Sequence, residues 1–234
     1  MERIPDGPRE MWVIKKAREF IKATGICSLP VDPAEVARRC GWRVFTVKEV
    51  ARLTGLTRWE ILSAGQESDV FYCNRKYCIV YDELSYYPRA RYSIGHEVGH
   101  IVLGHLEQFD KTCLLRNNNL TALEYWVLER EAEIFAAELL MPLPILRALG
   151  RMMPELIKPE VIMKMCHVSL TTASIRCNEI NRSFALDDLS DDDWMQQQFG
   201  TYLQVWGNFV REFKVFEAHR EIAVARNDEL DISL

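Results

Sequence analysis

The chain has 234 residues, 48% of them hydrophobic and 27% charged, which suits one sizeable packed domain and excludes wholesale disorder. A formal charge of −5 argues against a nucleic-acid protein held by general basicity, leaving only a local basic patch open. The seven cysteines are odd in number, scattered and without a Cys-x-x-Cys pair, so they indicate reduced thiols rather than a disulfide framework or a cysteine zinc knuckle.

No apolar run reaches the ~20 residues of a membrane span. The opening Met-Glu-Arg-Ile-Pro-Asp-Gly has no secretory h-region. A cytoplasmic protein with no membrane contact is the expectation.

In chain order, residues 8–24 predict an amphipathic helix with Trp12, Val13, Ala17, Phe20 and Ile21 on one face. Asp32-Pro33-Ala34-Glu35 marks a helix start, with Asp32 as N-cap and Pro33 in the first turn, and Gly41 ends that helix. Residues 42–47, 70–73 and 78–81 read as short strands, with 74–77 turning the second into the third. Pro88 opens a helical stretch to about Leu106. A polar loop containing Asn117, Asn118 and Asn119 separates it from a helix over 121–141, closed by Pro142 and Pro144. Beyond that only helices are predicted, at 144–150, 159–166, 170–181 and 191–220, the last preceded by an acidic linker at 187–193. The fold class is α+β, and the division is a domain over 1–185 followed by a helical extension over 186–234.

A metal-binding pair must project from one side of one element, and positions i and i+4 of a helix do so. His96 and His100 have that spacing, in a stretch whose flanks Tyr92, Ile94, Ile101, Val102 and Leu103 suit a buried helix. Glu97 follows the first histidine, where it can accept a proton from a water activated by the metal. This His-Glu-x-x-His arrangement points to zinc-dependent hydrolysis. Catalytic zinc usually takes three protein ligands, so one is still to be found. His105 lies five residues past His100, roughly 140° around a continuous helix, and is expected to face elsewhere. Glu129 shares a stripe with Ala132, Ala136 and Leu140, and those small residues would let this second helix approach the first closely. Glu129 is therefore the predicted third ligand. Glu133, one turn on, is the candidate for holding a ligand imidazole from behind. Glu131 and Glu138 fall about 180–200° away from Glu129 and are expected to be solvated.

Two segments, RYSIGHEVGHIVLGH at 91–105 and EREAEIFAAELLMP at 129–142, resemble the ImmA/IrrE metallopeptidases of bacteria and their mobile elements. The resemblance runs roughly over 15–185 and includes the helical pair at 159–181. It implies a zincin-like fold with one zinc ion on His96, His100 and Glu129, and Glu97 as catalytic base. It also implies a substrate: a transcriptional repressor of the helix-turn-helix class, from a phage or mobile element. That family commonly has Asn at the position of Glu133.

Hydrolysis also needs a donor for the oxyanion, and Tyr86, Tyr87, Arg91 and Tyr92 are all near enough in sequence. Two other readings stand beside the enzyme. One is a non-enzymatic regulator or sensor that holds the metal and acts by protein–protein contact. The other is DNA binding by 159–181, disfavoured because Arg176 and Arg182 are the only cations near the end of its second helix. Finally, Met195, Phe199, Tyr202, Trp206, Phe209, Phe213 and Phe216 alternate four and three apart, a seam expected to pack on the chain's own core. A second copy or a partner chain contacting 191–220 is the alternative occupant.

Overall fold

Helix α1 (Glu10–Thr24) buries Val13, Ala17 and Ile21, one turn apart, and stops at Gly25, whose φ of 68° ends the helix in the left-handed conformation. The computed structural model to which it belongs describes residues 4–62, 65–73, 75–108, 120–186 and 192–231. The Asn117–Asn119 loop, the turn residue Asn74 and residues 187–191 of the acidic linker lie outside the described residues.

Helix α2 (Pro33–Arg39) begins as its sequence predicts, with the Asp32 side chain accepting from the Ala34 and Glu35 amides. Strand β1 (Arg43–Thr46) leads into two helices that the sequence reading did not assign, α3 (Val47–Thr54) and α4 (Arg58–Ile61). Both open on reciprocal capping boxes, Thr46 with Glu49 and Thr57 with Glu60. Strands β2 (Ser68–Cys73) and β3 (Lys76–Tyr81) follow, and the sheet order is β1-β3-β2, with β1 parallel and β2 antiparallel to β3. Val44 and Val70 both pair with Ile79, so one face of the sheet joins the main core. Val80 turns the other way, to Val47, Ile61 and Leu62 beneath α3 and α4.

The remainder is helical: α5 (Tyr87–Val102), α6 (His105–Gln108), α7 (Ala122–Leu140), α8 (Leu143–Met152), a 3₁₀ turn at Pro154–Ile157, α9 (Pro159–Cys166), α10 (Leu170–Leu186), α11 (Asp192–Gln198) and α12 (Gly200–Asp231). The α+β class is borne out. The stretch read as one helix to Leu106 is broken after Val102, because Gly104 takes a φ of 73° and reverses the chain. The stretch read as one helix over 191–220 is two, parted at Phe199.

Helix α7 is the centre of the molecule. It packs on α5 along one side and on α1 along another, where Phe20 meets Phe135 at 5.9 Å between ring centroids. The aromatic seam divides. Met195 and Phe199 are fully buried and join the main core, whereas Phe209, Phe213 and Phe216 are exposed at 51%, 37% and 63%. Leu203 and Val210 are buried in their stead, since a straight helix against α8 buries a face of period 3.6 and a 3.5-residue seam drifts off it. No helix among the described residues is long and apolar enough to cross a membrane.

Candidate metal centre

The centre is made by the crossing of α5 and α7, and small residues permit it. Along α5, Gly95 faces Ala136 and Leu140 while Gly99 faces Ala132, so the two helices run antiparallel. This close contact is the one the Glu129–Ala132–Ala136–Leu140 stripe predicted. It carries Glu129, one turn before Ala132, to the imidazoles of α5. His96 Nε2 and His100 Nε2 lie 3.0 Å apart, and the Glu129 carboxylate stands 3.3 Å from the first and 3.5 Å from the second. Each residue offers one donor atom, and all three fall within 4.8 Å of one another, so the group could hold a metal ion.

Glu97 is buried on the same helix, and the Ser68 hydroxyl of β2 donates to its Oε1 at 2.7 Å. Burial pushes the Glu97 carboxyl up to about 7, although His96 and the Ser68 hydrogen bond pull the other way. Burial likewise raises Asp69, beside it on β2, to about 6. The two imidazoles differ. Burial disfavours protonation of His96, but Glu129, Glu97 and Glu133 outweigh it and raise the group. His100 is held well below the usual imidazole range by burial and by the two neighbouring histidines. A cleft of about 400 Å³ opens over these residues, with Tyr92 and Tyr125 in its walls. Tyr125 has no part in the sequence motif and enters only because α7 lies across α5.

Several sequence expectations change. His105 does not face elsewhere: the reversal at Gly104 brings it back beneath α5, fully buried, with its Nδ1 2.9 Å from His100 Nδ1. Glu131 is not solvated. It is fully buried, 3.2 Å from His105 Nε2, and accepts three hydrogen bonds from Arg9. Burial alone would raise this carboxyl, yet the hydrogen bonds from Arg9 and His105 hold it down at about 2. Glu138 is also buried, paired with Arg18 of α1 at 2.8 Å and with Arg176 of α10. The side of α7 that carries both carboxylates faces Arg9, Arg18 and Arg176 of neighbouring elements, not water.

Glu133 lines the cleft, and its carboxylate accepts from Arg130 at 2.9 Å instead of from an imidazole. The group that stands behind His100 is His105, with 2.9 Å between the two Nδ1 atoms. Among the oxyanion candidates, Arg91 is buried and donates to the Val31 carbonyl, so it is turned from the cleft. Tyr86 and Tyr87 are mostly exposed, and Tyr92 lines the cleft with its hydroxyl donating to the Glu133 carbonyl at 3.1 Å. Arg176, one of the two cations weighed for DNA, is buried between Glu138 and Glu179 and unavailable to phosphate.

Comparison with known proteins agrees with this geometry. The family model of peptidase M78, described as the IrrE N-terminal-like domain, matches residues 58–178. That span contains His96, Glu97, His100 and Glu129 and excludes α1. No curated protein matches the chain.

Proposed function

The chain belongs to the M78 peptidase family of IrrE N-terminal-like domains, and from that premise we propose that it is a zinc-dependent endopeptidase. Its substrate is a regulatory protein, a helix-turn-helix transcriptional repressor of a phage or mobile element. The observation that carries the reading is the convergence of His96, His100 and Glu129 directly beside the buried Glu97.

The donor set fits the metal. Bonds of about 2.1 Å in a tetrahedron set neighbouring donor atoms about 3.4 Å apart. Here the two imidazole nitrogens are 3.0 Å apart, and Glu129 Oε2 is 3.3 Å from His96 and its Oε1 3.5 Å from His100. One donor atom from each residue lies within 4.8 Å of the others. His96, His100 and Glu129 would hold one zinc ion per chain. When bound, zinc supplies Lewis-acid activation of a water and of the scissile carbonyl.

The chain's own residues handle the proton. Ser68 occupies Oε1 of Glu97, which fixes the carboxyl plane and leaves Oε2 to take the proton of the attacking water. The same oxygen returns it to the leaving amine. A second cleft of about 710 Å³, with Ile134, Ala137, Met141 and Leu143 in its lining, shares Tyr92 and Glu133 with the first. Two adjoining clefts suit an extended segment passing through the site, as an endopeptidase requires, more than a chain end. The alternative, a regulator or sensor that holds metal without catalysis, gives the buried Glu97 no task to offset the cost of its burial.

The test is incubation of the purified protein with repressors encoded beside its gene, with zinc and with a chelator. Zinc-dependent cleavage is expected, abolished in Glu97→Gln although that variant still binds one zinc. Equal cleavage by Glu97→Gln would remove Glu97 as the base. Binding of a repressor without any cleavage would favour the regulator.

A further inference from the structure

Behind the metal ligands lies a chain of polar side chains that the proposed hydrolysis does not use. It runs from Arg9, immediately before α1, through Glu131 of α7 and His105 of α6 to His100. Arg9 donates three times to the Glu131 carboxylate: its backbone amide and Nε reach Oε1 at 2.9 and 2.8 Å, and its Nη2 reaches Oε2 at 2.8 Å. The same Oε2 lies 3.2 Å from His105 Nε2, and His105 Nδ1 lies 2.9 Å from His100 Nδ1. Glu131 and His105 are fully buried and His100 almost so, so water does not compete for the Glu131–His105–His100 contacts, while the Arg9 side chain is partly exposed.

With His105 neutral, the donor and acceptor roles along this chain follow in sequence. A guanidinium and a backbone amide can only donate, so Glu131 faces them as an acceptor. The nitrogen of His105 that meets its Oε2 must then carry the hydrogen. A neutral imidazole with hydrogen on Nε2 has only a lone pair at Nδ1. The contact between the two Nδ1 atoms therefore needs the hydrogen on His100. With hydrogen on its Nδ1, His100 presents the lone pair of Nε2, the atom that converges with His96 and Glu129.

We propose that His105 is a positioning residue for the metal centre, fixing through the Arg9–Glu131–His105 chain both the orientation and the metal-binding tautomer of His100. This rests on the reading of His96, His100 and Glu129 as metal ligands. It goes beyond that reading in making a histidine outside the motif, and an arginine outside the matched family segment, determinants of metal affinity. An imidazole that must be reoriented or change tautomer on each binding event loses affinity, and supporting hydrogen bonds of this kind are typically worth about 10–100-fold.

The experiment measures the zinc dissociation constant of the full chain by competition with a chromophoric chelator. His105→Phe retains the ring's bulk and removes the acceptor, and is expected to weaken zinc binding about 10–100-fold. His105→Gln, whose amide oxygen can accept from His100 Nδ1, is expected to recover part of the loss. Arg9→Ala acts from the edge of the fold and remains usable if the buried variants do not fold. It is expected to weaken zinc binding alone but to add nothing in the His105→Phe background, because both act through one chain. In the metal-free protein, nitrogen-15 spectra should show hydrogen on His100 Nδ1 and its loss of that preference in either variant.

If His96→Ala and His100→Ala lose zinc while folded His105→Phe or Arg9→Ala binds it as tightly as the parent, the positioning role is overturned and the metal reading stands. If His96→Ala and His100→Ala also bind zinc as the parent does, the metal reading itself has failed and the proposal falls with it. Independent, additive losses from Arg9→Ala and His105→Phe would likewise overturn the chain as the means of action.

Discussion

Gly99 of α5 rests on the backbone of Ala132 of α7: a Cβ at the glycine would stand 3.2 Å from both the Ala132 Cα and its carbonyl oxygen. Backbone atoms cannot swing aside, so the added methyl must push the two helices apart. We expect Gly99→Ala to cost about 1–3 kcal/mol and to lower zinc occupancy by drawing Glu129 away from the imidazoles. Gly95→Ala is the internal comparison, since its nearest neighbour is the flexible Leu140 side chain at 3.5 Å. There the gain in helix propensity, up to about 1 kcal/mol, should leave stability equal or raised. Thermal melts with zinc stoichiometry check both, and equal behaviour of the two variants would refute the contact.

Removing the third ligand should separate the carboxylates of α7 by function. Glu129→Ala should lose most of the bound zinc, since it deletes a donor that meets both imidazoles. Glu133→Ala should keep it, because that carboxylate pairs with Arg130 in a half-exposed salt bridge. Metal analysis after dialysis distinguishes them, and the reverse order would show that Glu133, one turn along the same face, is the ligand in place of Glu129.

Glu138 joins three helices, with Arg18 of α1 and Arg176 of α10 on its two oxygens. Glu138→Ala leaves the buried Arg176 guanidinium without its buried partner, a loss of about 3–5 kcal/mol. Urea denaturation should register it as a lower midpoint at unchanged slope. A change under about 1 kcal/mol would mean that the pair contributes nothing beyond its own desolvation.

The C-terminal helices should show a boundary between buried and exposed aromatics. Phe199→Ala empties a fully buried site in the main core and should cost about 3–5 kcal/mol. Phe213→Ala, further along and partly exposed, should stay within about 0.5 kcal/mol. Chemical denaturation of the two variants checks the pair, and a large loss from Phe213→Ala would place that ring in a contact such as a second copy of the chain.

What the sequence determined by itself was local and periodic. His96 and His100 share a helix face by spacing alone, and the Glu129–Ala132–Ala136–Leu140 stripe announced which side of α7 would meet it. The N-cap at Asp32 was legible for the same reason, since capping is decided within four residues. The boxes at Thr46–Glu49 and Thr57–Glu60 were equally legible in principle, although α3 and α4 were not read from them.

Only the tertiary structure decided what lies behind the metal ligands. A helical wheel gives the direction in which Glu131 and Glu138 leave α7 but not whether water or α1 waits there. For His105 the wheel itself was inapplicable, because Gly104 ends the helix and reverses the chain. The link from Arg9 to Glu131 spans 122 residues, and no periodicity in a sequence can encode such a pairing. It exists because α7 is packed on two sides, which forces its buried carboxylates to find cations on neighbouring elements.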